Sequence, residues 1–132
     1  MVDIQNQIFN SLKTAIITDF PNVKVQKEYQ PITSTFPTVT FYEIDNSAIF
    51  HTLDYTERKS SLAFQIDIFT TGGTKESTAK NIAKSVNLTL ETTWQMKRVF
   101  ANPIQNTADP DIYRYTMRYS CKIDEDKLLV YS

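Results

Sequence analysis

The chain is poor in the residues on which most small-protein chemistry is built. Its 132 residues hold one cysteine, Cys121, and one histidine, His51. A single thiol excludes an intramolecular disulfide, and one thiol with one imidazole is too little for a typical zinc site. Glycine is as scarce. The two present, Gly72 and Gly73, are adjacent, whereas a dinucleotide fingerprint and a phosphate-binding P-loop both need spaced glycines. Neither sign of charge dominates: fourteen Lys and Arg stand against fifteen Asp and Glu, a formal net charge of −1. The basic excess that drives duplex binding is therefore missing. Every apolar cluster is broken within a few residues, far short of the roughly 20 apolar positions of a membrane span. Residues Met1 to Gln7 carry neither a positive n-region nor an apolar run, which predicts no secretory signal and a protein made in a cytoplasm.

What is present is enough apolar material for one core. Hydrophobic residues make up 41% of the chain and aromatics 12%, so burial can offset chain entropy, and the length suits one domain over 1–132. Ile4, Ile8, Leu12, Ala15 and Ile16, with Phe9 beside them, follow the 3.6-residue period of an amphipathic helix. That helix is expected from Val2 to Thr18, inside an N-terminal region of 1–20, because Pro21 restricts the residue ahead of it. Val23, Val25 and Tyr29 alternate with Lys24, Gln26 and Glu28, a half-buried strand closed by Pro31. A second strand is expected at Thr38 to Ile44, which is dense in β-branched and aromatic residues.

From Ala48 to Ser60 no period is clean, and the region 45–60 reads as a projecting hairpin or loop. The third strand places Leu62, Phe64, Ile66 and Ile68 on a core face, with Ala63, Gln65, Asp67 and Phe69 on the other. A break at Gly72-Gly73 follows. Thr74 is the expected N-cap of a second helix whose stripe is Ala79, Ile82, Ala83, Val86 and Leu90, ending near Thr93. Met96 to Phe100 reads as a fourth strand, followed by a proline-marked loop. In the last strand Tyr113, Tyr115, Met117, Tyr119, Cys121 and Ile123 alternate with Arg114, Thr116, Arg118, Ser120 and Lys122. A short tail, 124–132, ends the chain. The order α-β-β-β-α-β-β, with hairpins in place of strand-helix-strand repeats, predicts a single α+β domain. Its sheet is mainly antiparallel and its two helices pack on one face.

Few side chains suggest chemistry. His51 with Asp54 or Glu57 has the makings of a general base and defines a small-hydrolase alternative, but no nucleophile motif surrounds it. Cys121, in an alternating strand beside Tyr119 and Ile123, reads as a small core residue of low reactivity. Asp109 and Asp111 flank Pro110, which is turn chemistry before it is a cation site. Arg114, Arg118 and Lys122 share a polar strand face that is able to grip phosphates or to pair with Gln65 and Asp67, within the sheet or in a neighbouring subunit. Seven tyrosines suit a partner surface and a tyrosine-lined core equally. No catalytic residue, metal ligand or cofactor is assigned.

Three segments together resemble a known family. The run Ser61 to Phe69, the helix Thr78 to Val86, and the strand Ile112 to Tyr119, with Phe36 to Glu43 before them, look like the tail terminator (tail completion) proteins of long-tailed bacteriophages. The resemblance covers roughly Ile4 to Ile123 and rests on strand and helix patterns. It implies a virion protein of the tail or neck, assembled in the host cytoplasm. Its subunits would form a homo-oligomeric ring, commonly a hexamer, which caps the tail tube, stops its growth and offers a docking surface to the head-side connector. DNA would only pass through the lumen, and no enzymatic activity is implied. A closed ring of heterologous contacts needs two different complementary patches on each subunit. The residues expected at subunit or tube contacts are Gln65, Asp67, Arg114 and Arg118 on the sheet, and Tyr55 and Arg58 in the hairpin. A head-closure or neck adaptor that binds the portal is the alternative within the same virion.

Overall fold

In this computed structural model residues 4–27, 36–51, 57–104, 111–124 and 129–131 are described, and of 46–51, 57–60, 123–124 and 129–131 only the backbone is. Helix α1 spans Gln5–Asp19 and buries Ile8, Phe9, Leu12 and Ile16, the stripe its period sets. The Phe20 N–H closes on the Ile16 carbonyl at 2.7 Å just before Pro21, so the helix runs one residue beyond the expected Thr18. Strand β1 is Lys24–Gln26, shorter than the alternation up to Tyr29 suggests, with residues 28–35 outside the described set.

Two long strands follow, β2 over Thr38–His51 and β3 over Glu57–Thr71. They pair antiparallel from Thr38↔Phe69 to His51↔Glu57, with irregularities at Glu43/Asp45 and around Phe50. Of the aperiodic stretch after Asn46, residues 47–51 and 57–60 thus lie in paired strands, and 52–56 are outside the described set. Bulges explain why its sequence lost the clean period of two, because each extra residue shifts the faces by one position. Gly72, at φ +94, makes the left-handed step out of β3 that a side chain would strain. Helix α2, Lys75–Leu88, then buries Ala79, Ile82, Ala83 and Val86. Thr74 takes the N-cap position without a side-chain cap bond, and its backbone carbonyl accepts from the Thr78 N–H at 2.9 Å. A π-helical turn, Thr89–Thr93, carries the expected stripe on to the buried Leu90. Gln95 leaves it at φ 54.

Strand β4, Lys97–Ile104, extends four residues past the expected Phe100 and includes Pro103. Proline is tolerated there because β4 is an edge strand. Strand β5 is Ile112–Asp124, and the tail contributes β6, Leu129–Tyr131. The sheet order is β1-β2-β3-β5-β4, with β6 added on β5. Among the described strands only β1 is parallel to its neighbour, at Lys24↔Thr38 to Gln26↔Thr40. The domain is α+β with a mainly antiparallel sheet.

Both helices contribute to one core. Phe41 stacks on Phe64 at 5.1 Å between ring centroids and meets Phe9 of α1 at 6.4 Å. Leu62, Phe64, Ile66, Ile68, Met117, Tyr119 and Cys121 are buried in the same cluster as the stripes of α1 and α2. Burial of this many aliphatic and aromatic side chains, each contributing about 1.5–3 kcal/mol, supplies the main favourable term of folding.

Candidate functional site: the helix-free face of the sheet

The period of two that sends Phe64, Ile66 and Ile68 toward the helices sends Gln65, Asp67 and Phe69 to the opposite face. The register extends that face across three strands: Thr40 and Asp67 align with Thr116, and Tyr42 and Gln65 align with Arg118. Beyond them β4 brings Asn102 beside Thr116 and Phe100 beside Arg118. No helix among the described residues lies on this side.

Its centre is a carboxylate. The Asp67 side chain is 0% exposed, and Arg114 reaches its Oδ1 with both Nε and Nη2 at 3.1 Å. The Thr116 hydroxyl donates to the same oxygen at 2.6 Å, and the Tyr42 hydroxyl donates to Oδ2 at 2.9 Å. Gln65 links this group to its neighbour: its Nε2 donates to the Tyr42 hydroxyl oxygen at 2.7 Å and its Oε1 accepts from Arg118 Nη2 at 2.9 Å. A charge removed from water is costly unless paired and fully hydrogen-bonded, and Asp67 meets both conditions. The guanidinium planes are packed as well, Arg114 over the Phe69 ring at 5.8 Å and Arg118 over the Phe100 ring at 5.1 Å. Arg118 Nε is buried with no acceptor among the described residues.

Four of the six residues expected at contacts, Gln65, Asp67, Arg114 and Arg118, therefore form one network at the centre of one face. Tyr55 lies outside the described residues, and Arg58 is described only as part of the β3 backbone. Sequence reasoning missed Tyr42 and Thr116. Thr116 stood between Arg114 and Arg118 in the alternation, and Tyr42 shares a face with Thr38 and Thr40, but nothing local signals that β2 and β5 flank Asp67 from opposite sides. Lys97 and Lys122 align with Ser120 and Ser61 respectively, so they belong to the same face and add cations at its rim.

The remaining candidates are dispersed. His51 and Glu57 are register partners near the hairpin apex, while Asp54 lies outside the described residues. Asp111 accepts through its backbone carbonyl, from Thr71 Oγ1 at 3.2 Å and Lys75 Nζ at 3.4 Å, which is turn chemistry; Asp109 is outside the described set. Among the described residues no group of three His, Cys, Asp or Glu is placed to hold a metal ion. Cys121 is buried, and burial pushes its thiol up to about 12, with the Glu43 carboxylate adding to the shift. Tyr119, also raised by burial, donates to Asn87 Oδ1 at 2.5 Å.

A second surface feature lies on the helix side. α2 packs mainly over β3 and β5, and a cleft of about 520 Å³ opens between α2 and β4. Ala83, Ala101, Tyr115 and Met117 form its apolar lining, and Lys80, Lys84 and Arg98 stand along it. No protein-family model matches the chain, and no curated protein matches it either.

Proposed function

We propose that the protein is a structural virion subunit that forms a ring on the head-proximal end of a phage tail tube. The ring ends tube growth and presents the surface to which the head-side connector docks. The observation that carries this reading is the helix-free sheet face, where Gln65, Asp67, Arg114 and Arg118 converge with Tyr42 and Thr116. Charges neutralised inside the face and guanidinium planes held flat on aromatic rings suit a surface made to be covered by protein, since arginine and aromatic residues are the side chains enriched at such contacts.

A head-closure or neck adaptor is the second reading. It is favoured by the cations of the same face, Lys97, Arg114, Arg118 and Lys122, which among the described side chains of β2 to β5 outnumber Asp45 and Asp67 there and would suit a surface turned toward DNA in a channel.

Light scattering at several concentrations, with and without purified tail tubes, tests the leading reading. Assembly to a multiple of 15.2 kDa, near six, alone or on tube ends, is the expected result. A monomer that ignores tubes but binds a portal ring points to the adaptor; one that ignores both removes the virion reading.

A further inference from the structure

On the helix side of the sheet Ala101 of β4 aligns with Met117 of β5, and these two with Tyr115 floor the cleft between α2 and β4. One wall of the cleft is α2 itself. Lys80, Ala83, Lys84, Asn87 and Leu88 recur there at the helical period, so the wall runs for about two turns, roughly 12 Å. The cleft is thus a trough beside α2, in the layer that the helices occupy. Ala83 and Ala101 are small enough for a backbone to come close, and Leu88, 67% exposed at the end of α2, forms an apolar lip. Uncovered apolar surface with a polar rim marks a contact site.

The polar groups of the rim are mostly donors. Lys80 is engaged by Glu76 at 2.9 Å, whereas Lys84, on the same wall, makes no hydrogen bond or ion pair among the described residues. Across the trough Arg98 of β4 reaches only the neutral Asn87 Oδ1, at 3.5 Å. That oxygen already accepts from the Tyr119 hydroxyl at 2.5 Å, so the other polar atom of the amide, Nδ2, is a donor as well. Glu91, one turn beyond Asn87, is the one carboxylate in the lining. Cations on both walls and an apolar floor ask for an occupant that is apolar beneath and acidic on both sides.

Shape decides what kind of chain meets that demand. An added strand does not, because Pro103 removes a backbone donor from the β4 edge and the irregularity between Arg98 and Phe100 breaks its repeat. A helix needs no backbone partner and packs beside another at about 8–10 Å between axes. A nucleic-acid backbone would bring phosphates to the rim but nothing apolar to cover Ala101 and Leu88. Neither described helix of a second copy fits: the exposed positions of α1 hold one carboxylate, Asp19, at its last residue, and those of α2 hold Lys80 and Lys84 against Glu76. We infer that the trough seats an acidic amphipathic helix of another protein, its apolar stripe over Ala83, Ala101 and Leu88 and its flanking carboxylates against Lys84 and Arg98. The inference goes beyond the ring reading and does not rest on it, since a helix docked on this side needs no assembly of the subunits.

Titration of the full-length chain with a labelled synthetic helix tests it. The probe is a capped peptide of about 14 residues, roughly four turns, with leucines in an i, i+3, i+4, i+7 stripe and glutamates on both flanks. One control carries lysine at every glutamate, and a second has the probe's composition with its leucines spread around the helix. Fluorescence anisotropy is expected to show saturable binding of the acidic probe, about tenfold or more tighter than either control. Amide NMR shifts are expected to centre on α2 from Lys80 onward and on β4. Lys84→Glu/Arg98→Glu, at two exposed positions, is expected to weaken the acidic probe by about tenfold and to gain the lysine control. Should that variant lose its circular dichroism, Leu88→Glu takes its place and is expected to weaken the acidic probe likewise. No saturable binding, a control that binds as well as the probe, shifts centred elsewhere, or variants that bind as the wild type does overturn the inference. Mass read on the same samples keeps the ring apart from it: an assembly that falls to 15.2 kDa in the double variant would mean that a second copy fills the trough, which overturns the inference and leaves the ring standing.

Discussion

Arg114 holds Asp67 by two nitrogens on a single oxygen, Nε and Nη2 both at 3.1 Å from Oδ1, with the carboxylate fully buried and the guanidinium side chain about a quarter exposed. The two residues are 47 positions apart and sit diagonally on adjacent strands, since Asp67 aligns with Thr116 and Arg114 with Phe69. The asymmetry of exposure decides how the pair responds to mutation.

Removing Arg114 strands a buried charge, whereas removing Asp67 frees a guanidinium that can turn to water. Arg114→Ala is expected to destabilise the fold by about 3 kcal/mol, as loss of one partner of a buried pair does. The double variant with Asp67→Asn is expected to be less destabilised than the sum of the two singles. Urea unfolding of the four proteins measures this, and additive effects would show that the pair contributes nothing as a pair.

Arg118 differs in that its network partner, Gln65, is neutral. Reversal of its charge leaves no opposite charge buried alone, so Arg118→Glu is expected to fold, with a melting temperature lowered by a few degrees, and to fail in ring formation or in head joining. Mass measurement and complementation of tail assembly read the two separately. Full assembly and joining by this variant would remove Arg118 from the contact surface.

Gln95 occupies a left-handed conformation at φ 54, where an L side chain costs roughly 1–2 kcal/mol relative to glycine. The position ends α2 and its π-helical turn, closed by the Met96 N–H on the Leu90 carbonyl at 3.0 Å. Gln95→Gly is expected to raise stability by about 1 kcal/mol, after the entropy glycine adds to the unfolded chain is subtracted. A thermal melt that moves down instead would mean that the Gln95 side chain makes contacts worth more than the strain.

Cys121 is expected to stay a thiol at ordinary pH. With its folded value raised to about 12 from 9.0, the thiolate fraction at pH 8 falls about a thousandfold, and a disulfide reagent should react far more slowly with native than with unfolded protein. The same shift sets a pH dependence. A raised folded value means that the stabilisation is fully present below pH 9 and is lost as pH climbs toward 12. Cys121→Ala is therefore expected to show a shallower alkaline loss of stability than the wild type. Equal slopes would assign that loss to Tyr119 and other groups.

The comparison with the sequence divides along the range of the forces involved. Which face the residues from Leu62 to Phe69 and from Tyr113 to Lys122 take was legible at once, because alternation is a property of neighbouring residues: Leu62, Phe64, Ile66 and Ile68 are all fully buried. The helix stripes were legible for the same reason, with Ala79, Ile82, Ala83, Val86 and Leu90 all inside. Gln65, Asp67, Arg114 and Arg118 could likewise be placed on polar faces. Their convergence could not. The meeting of Tyr42, Asp67 and Thr116 depends on β3 lying between β2 and β5 in one particular register, a choice made by long-range burial and loop closure that leaves no mark within a ten-residue window. The same holds for the parallel pairing of β1 with β2, and for β4, whose Pro103 read as a loop until its place at the sheet edge made proline acceptable. The cleft, too, arises only when α2 settles mainly over β3 and β5, beside β4. Local periodicity set the faces, and packing of distant strands set which side chains share them.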